Sequence, residues 1–153
     1  MTAVPKPKKK TKLSHVKDGT WEIFSIYIRI RDGIRTTGNP NNAICVTCKK
    51  KFSFDQLDAG HFLPGRGNAI LFDVRGCHAQ CKMCNNNNGC YESYFEYMKE
   101  VYGKKTIEDL ESLKGITRIY YREKLMELRK KYKNNIKALL DECPIVFDFR
   151  LPF

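Results

Sequence analysis

Apolar and polar residues follow several distinct rhythms along this chain. In residues 18–32, DGTWEIFSIYIRIRD, Ile26, Ile28 and Ile30 alternate as in a strand, whereas Trp21, Phe24, Tyr27, Ile28 and Arg31 share one helical face. Asp18 or Thr20 suits an N-cap, Glu22 a first turn and Gly33 an exit, so the stretch reads as a helix. Residues 36–42, TTGNPNN, read as a loop. Two short apolar runs then flank the turn-rich Pro64-Gly65-Arg66-Gly67-Asn68: Phe52, Phe54 and Leu57 before it, and Ala69-Ile70-Leu71-Phe72 after it. This is hairpin material. A helical stripe of Tyr91, Tyr94, Phe95, Met98 and Val101 follows and stops at Gly103; a capping-box start at Thr106 opens a short helix to Gly115. The longest helical pattern covers 117–142, with Tyr121, Leu125, Leu128, Tyr132, Ile136 and Leu139 near heptad spacing. Pro144 ends it, and residues 145–151 alternate weakly as an extended segment.

Charge narrows the partner. The 28 Lys+Arg against 17 Asp+Glu give a formal charge of +11, which points to a polyanion and does not separate DNA from RNA or acidic membranes. Residues 1–12 hold five lysines and no acid, the composition of a disordered basic arm. Arg118, Arg122, Lys124, Arg129, Lys130, Lys131, Lys133 and Lys137 cover the faces of the last helix outside its apolar seam. That seam could pack on the chain's own core or on a second copy. No apolar run approaches the ~20 residues of a membrane span, and no leader peptide is visible, so a soluble intracellular protein is expected.

The seven cysteines decide the fold class. Two Cys-x-x-Cys pairs, Cys45/Cys48 and Cys81/Cys84, stand 32 residues apart. Each pair can place two thiolates about 2.3 Å from one Zn²⁺, and two pairs close a tetrahedron. An odd cysteine count with four in such knuckles favours metal over disulfides. Cys77 and Cys90 lie near enough in sequence to replace a ligand; Cys143 reads as a bystander. The expectation is an α+β protein in which structural zinc staples a small hairpin to a helix, because so short a segment buries too little apolar area alone.

A knuckle, a hairpin bearing a histidine and a knuckle opening a helix resemble the ββα-metal (HNH, treble-clef-like) nuclease module. Cys45-x-Thr47-Cys48, Ala59-Gly60-His61-Phe62, His78-x-Gln80-Cys81-x-x-Cys84-Asn85, Gly89 and Tyr94 are similar to the phage recombination family NinG, also called Rap. The likeness extends to Trp21…Phe24…Ile28-Arg29…Arg31-Asp32 and to Tyr121-Arg122-Glu123-Lys124-Leu125. The ending Cys84-Asn85 also resembles phage endonuclease VII. The resemblance implies a basic arm at 1–17, a zinc-bound ββα core with its N-terminal helix at 18–103, a basic and dimerising helical extension at 104–143, and an extended tail at 144–153.

It further implies a structure-selective endonuclease that cuts four-way junctions and D-loops in the host cytoplasm during phage infection. Expected partners are branched DNA, a second copy of the chain and phage recombination proteins, with no membrane. His61 is the implied general base, since an ordinary histidine is mostly neutral at cellular pH. Asn85 is the implied ligand of a catalytic Mg²⁺ or Mn²⁺, an amide oxygen being a suitable hard donor. His78 is a second candidate for that ion, and Asp58 could stand in for the acidic residue that many such sites carry where this chain has Gly60. The Asn that usually braces the hairpin falls at Gly76-Cys77, and Asn68 could take its role. Arg66 and Arg75 are candidate phosphate clamps; Lys49, Lys50, Lys51 and Lys82 form a basic cluster on the knuckles. A rival expectation is a catalytically weak zinc module that only binds DNA or RNA.

Overall fold

A computed structural model describes residues 12–64 and 69–153. Its first element, α1 (Lys12–Thr37), is longer at both ends than the 18–32 pattern predicts. Residues 12–17 of the expected basic arm therefore belong to this helix, and residues 1–11 lie outside the described part. Thr20 is not a cap. Its hydroxyl sits mid-helix, donating to the Val16 carbonyl at 2.8 Å and lying 3.2 Å from that of Leu125. Gly33 is not the exit either: a Cβ there would come within 2.7 and 2.8 Å of the Asn42 and Asn39 carbonyl oxygens. The helix ends instead at Gly38, whose positive φ of 69° lets its N–H close on the Ile34 carbonyl at 2.9 Å.

Two small antiparallel sheets follow. β1 (Asn42–Ile44) pairs with β2 (Lys51–Ser53) around the first knuckle. β3 (Leu57–His61) pairs with β4 (Cys77–Cys81), Asp58 opposite Gln80, Gly60 opposite His78 and His61 opposite Cys77. The second strand is thus not Ala69-Ile70-Leu71-Phe72. Those residues form a buried turn, in which Leu71 and Phe72 pack on α1 and Ile70 packs with Phe62, Tyr94 and Met98.

α2 (Lys82–Asn86) starts at the second knuckle, and a short 3₁₀ turn at 88–90 leads to α3 (Tyr91–Leu113). Gly103, with φ 78° and ψ 168°, breaks α3 where the stripe was expected to stop. Tyr94 and Met98 of that stripe are buried, while Val101 is exposed. α4 (Arg122–Glu142) begins five residues later than the 117–142 pattern predicts; Tyr121 is its exposed N-cap, and Tyr120 is the buried aromatic instead.

The core answers the question left by the heptad seam. Leu125, Tyr132 and Ile136 of α4 are buried with Ile23, Phe24 and Ile28 of α1 in one cluster that also takes in Phe72, Ala59 and Cys77. The seam packs on its own chain because α1 carries a matching stripe. Residues 143–153 carry no helix or strand. Phe147 and Phe149 lie 5.1 and 5.0 Å from the Phe54 ring, and the Asp148 N–H donates to Asn41 Oδ1 at 2.8 Å. The tail thus clamps the start of the cysteine-bearing module.

Candidate metal centre and adjoining cavity

The Sγ atoms of Cys45, Cys48, Cys81 and Cys84 all lie within 4.8 Å of one another, with Cys48 and Cys81 4.0 Å apart. Tetrahedral thiolates about 2.3 Å from Zn²⁺ stand about 3.8 Å apart, so the set matches that ion. The local backbone explains the closeness. Lys49, at φ 62°, turns the first knuckle so that its N–H reaches the Cys45 carbonyl at 3.1 Å. Val46 N–H then donates to the Ala79 carbonyl of β4 at 3.0 Å, which brings the knuckles together.

Thiolate character is unevenly placed. Burial works against charge on Cys45, but bonds from the Thr47 hydroxyl and the Cys81 N–H, each at 3.3 Å, outweigh it and bring the thiol down to about 7. Burial and neighbouring thiols push Cys81 up to about 12. Four thiols so close cannot all ionise without a cation among them. Cys90 lies beside the cluster, its Sγ 3.6 Å from the Cys84 carbonyl, and is not one of the four. Cys77 is buried in the α1 cluster.

Next to the cysteines lies a cavity of about 380 Å³, lined by Ala59, His61, Phe62, Pro64, Asn85, Asn88, Gly89 and Tyr91. His61 comes from the end of β3 and Asn85 from α2; the cysteine cluster joins the first knuckle to the end of β4 and to α2, and so positions Asn85. His61 Nε2 lies 3.0 Å from the Leu71 carbonyl. A carbonyl can only accept, so the hydrogen sits on Nε2 and the lone pair on Nδ1. Trp21 of α1 stacks on the ring at 5.1 Å and 21°.

Asn85 Nδ2 donates to Asp58 Oδ2 at 3.0 Å. A carboxylate is acceptor-only, so this bond orients the amide and leaves Oδ1 as its ligand atom.

Gly60 is explained by Gln80. A Cβ at position 60 would lie 2.2 Å from Gln80 Oε1. The buried Gln80 amide crosses Gly60 and donates to the Gly89 carbonyl at 2.7 Å, tying the cavity's far rim to the hairpin. Tyr94, fully buried, donates its hydroxyl to the Gly60 carbonyl at 2.8 Å.

His78 is not part of this cavity. Strand alternation puts it on the hairpin face opposite His61. It is completely buried, Nε2 facing the Arg75 carbonyl at 3.0 Å and Nδ1 lying 3.0 Å from Arg31 Nη2 and 3.3 Å from Asp32 Oδ2. Burial pushes its pKa below the usual histidine value, outweighing Asp32. Asp32 also accepts the Ala79 N–H at 2.7 Å, and His78 and Arg31 hold its carboxyl well below the usual range despite burial. This network docks α1 on β4.

The basic candidates scatter. Arg75 is taken up by Asp73, at 3.0 Å from Nε and 2.8 Å from Nη2, so it braces the approach to β4. Lys49 donates to the Val46 carbonyl at 2.7 Å and covers the Tyr97 ring. Lys50, Lys51 and Lys82 are exposed. Arg66 and Asn68 lie outside the described residues. Three contributors escaped sequence reading. Trp21 looked like any core aromatic, the Leu71 carbonyl leaves no side-chain signal, and Gln80 stood out only through its motif.

Helices, two small antiparallel sheets and a cysteine quartet able to hold a metal such as zinc define a small α+β protein built on a metal-binding cluster. The family described as Bacteriophage Lambda NinG protein matches residues 3–142, nearly the whole chain, and the chain belongs to that family. No curated protein and no solved structure matches it. Among the described residues, no helix is long and apolar enough to cross a membrane.

Proposed function

We propose that the protein is a metal-dependent endonuclease that cuts branched DNA, with His61 as general base. The observation that carries this reading is the shared cavity: His61 and Asn85 line one opening beside a cysteine quartet able to hold a metal. The Leu71 carbonyl fixes the tautomer, so Nδ1 has the lone pair needed to take a proton from water. Trp21 holds the ring plane. Asn85 Oδ1, supported by the Asp58 carboxylate, is the hard oxygen that would hold Mg²⁺ or Mn²⁺. Such an ion supplies charge stabilisation to the phosphate and the leaving oxygen. His78 has no part in that set.

Gly60 and the missing Asn brace do not argue for a disabled site. Gln80 fills the space over Gly60, and a backbone carbonyl orients His61. Two symmetric incisions at a junction call for two copies of the chain. Because α1 occupies the α4 seam, a dimer would use another surface.

The test incubates the purified protein with a labelled four-way junction, a D-loop and a linear duplex, each with Mg²⁺, Mn²⁺ or no divalent ion. Metal-dependent cutting of the branched substrates, lost in His61→Ala, is expected. Tight junction binding without cutting in either metal would replace this reading with that of a DNA-binding zinc module.

A further inference from the structure

A second, larger opening lies on the other side of the 69–74 turn. It encloses about 600 Å³ between that turn, residues 118–120 and the first half of α4. Phe72, Tyr120 and Tyr132 form its apolar floor, the Phe72 and Tyr120 rings meeting edge to face at 5.3 Å. Arg118, Lys124 and Lys131 stand on its walls, all three exposed. The one acid in the lining is Asp73, and Arg75 already neutralises it through two hydrogen bonds. Lys124 also pairs with Glu127 at 3.1 Å, an exposed, solvent-screened ion pair that a phosphate can displace. Three cations above an aromatic floor, with the lone carboxylate compensated, make an anion-binding groove.

Its position gives the groove a meaning. Leu71 and Phe72 are adjacent residues of one turn: the Leu71 carbonyl holds His61, and the Phe72 ring walls the groove. Trp21 completes the link, stacked on His61 and 6.4 Å from Phe72. The groove and the cavity of His61 thus lie on two sides of one wall. Lys124 and Lys131 stand seven residues apart on α4, about 10.5 Å along its axis, so with Arg118 they outline a track longer than a single-phosphate pocket.

We propose that this groove binds the phosphodiester backbone of a DNA arm next to the one being cut, an assignment that rests on the nuclease reading for its purpose. Arg118 donates through a planar fork, whereas Lys124 and Lys131 act as mobile point charges, so the contact is insensitive to sequence and follows backbone shape. Removing one phosphate-binding cation weakens binding by about 5-fold near 0.15 M salt and lowers the salt slope by about 0.9.

The test measures binding of a fluorescent four-way junction by anisotropy from 50 to 300 mM salt, in Ca²⁺ and on the His61→Ala background so that no strand is cut. The protein carrying Arg118→Gln, Lys124→Gln and Lys131→Gln is compared with a charge-matched control carrying Lys99→Gln, Lys104→Gln and Lys105→Gln on exposed positions of α3. All proteins are first checked for bound zinc and circular dichroism. The groove variant is expected to bind 10- to 100-fold more weakly, with a salt slope smaller by about 2 to 3. The control should stay within about 3-fold, and Lys124→Arg with Lys131→Arg should bind like the parent. Unchanged affinity and slope in the groove variant, or equal weakening in the control, overturns the proposal. If the His61-bearing protein cuts no DNA in any metal yet the groove variant still binds weakly, the nuclease reading fails and the groove stands. If cutting depends on His61 while the groove variant binds like its parent, the reverse holds.

Discussion

Replacing Gly60 with alanine tests whether the hairpin is built around Gln80. The new Cβ would stand 2.2 Å from Gln80 Oε1, 3.0 Å from its Cβ and 3.1 Å from its Cδ. A flexible surface side chain would swing aside, but Gln80 is completely buried and its Nε2 is committed to the Gly89 carbonyl. Moving it breaks that half-buried bond, at about 0.5–1.5 kcal/mol, and overpacking adds about 1–3 kcal/mol. Alanine recovers about 0.5–1 kcal/mol of backbone entropy relative to glycine in a strand. The net expectation is about 1–3 kcal/mol of destabilisation, measured by urea unfolding of the zinc-loaded protein. A second substitution, Gln80→Ala, vacates the space, so the double variant should show a favourable coupling of about 1–2 kcal/mol. Stability within about 0.5 kcal/mol of the parent for Gly60→Ala alone, or simple additivity in the double variant, would refute the reasoning.

Trp21 is the chain's sole tryptophan and stacks on His61. Removing the stacked ring in His61→Ala should therefore change the Trp21 emission intensity and wavelength in the folded protein; an unchanged spectrum would sink this assignment. Mercurial titration of the thiols should release one zinc per chain. Cys45→Ser and Cys84→Ser should lose the metal and the hairpin, the apparent binding energy of such sites being about 10–16 kcal/mol, whereas Cys77→Ser and Cys143→Ser should retain it; zinc retained by Cys45→Ser would contradict the quartet. Because the pKa of His78 is depressed in the folded state, its contribution is fully present above the unfolded value near 6.5 and is lost as pH falls toward the folded value. Stability should drop between pH 7 and 5.5 by at most about 1.4 kcal/mol per pH unit from this group, and His78→Gln should show a shallower slope. Equal slopes in the two proteins would refute it.

What could be read from the sequence was whatever a spacing rule encodes. Two Cys-x-x-Cys pairs announce a tetrahedral site because two thiolates three residues apart fit one ion. The observed Sγ cluster is that expectation realised. Helix existence was legible from periodicity at α1, α3 and α4, as were the break at Gly103 and the end of α4 at Glu142, but the ends of α1 and the start of α4 were not. Glycine marks an exit in sequence, and Gly33 was instead needed for the close approach of residues 39–42. The second strand was misplaced because Ala69-Ile70-Leu71-Phe72 is more apolar than Cys77-His78-Ala79-Gln80-Cys81. Burial of a turn against α1 and burial of a strand leave the same hydrophobic signature. His78 was drawn into the site by its closeness to Cys81. Only the pairing register, Gly60 opposite His78, reveals that it faces away from His61.

The division of labour between the cysteine quartet and α1 follows from what each can reach. The quartet joins β4 and α2 to the first knuckle, and so sets where Asn85 sits. It has no hold on the far end of the hairpin, where His61 lies. That end is held by α1, which runs along the whole hairpin. Trp21 stacks on His61, Arg29 reaches the Phe54 and Leu57 carbonyls, and Arg31 reaches those of Val74 and Cys77 at 2.9 and 2.8 Å. Asp32 takes the Ala79 N–H. These bonds go to backbone groups at the ends and edge of the two-stranded hairpin, groups that would otherwise need water. Arg29 and Arg31 therefore act as scaffold in the fold. Arg118, Lys124 and Lys131 are among the cations whose charge the fold leaves at the surface, and they are arranged along one groove.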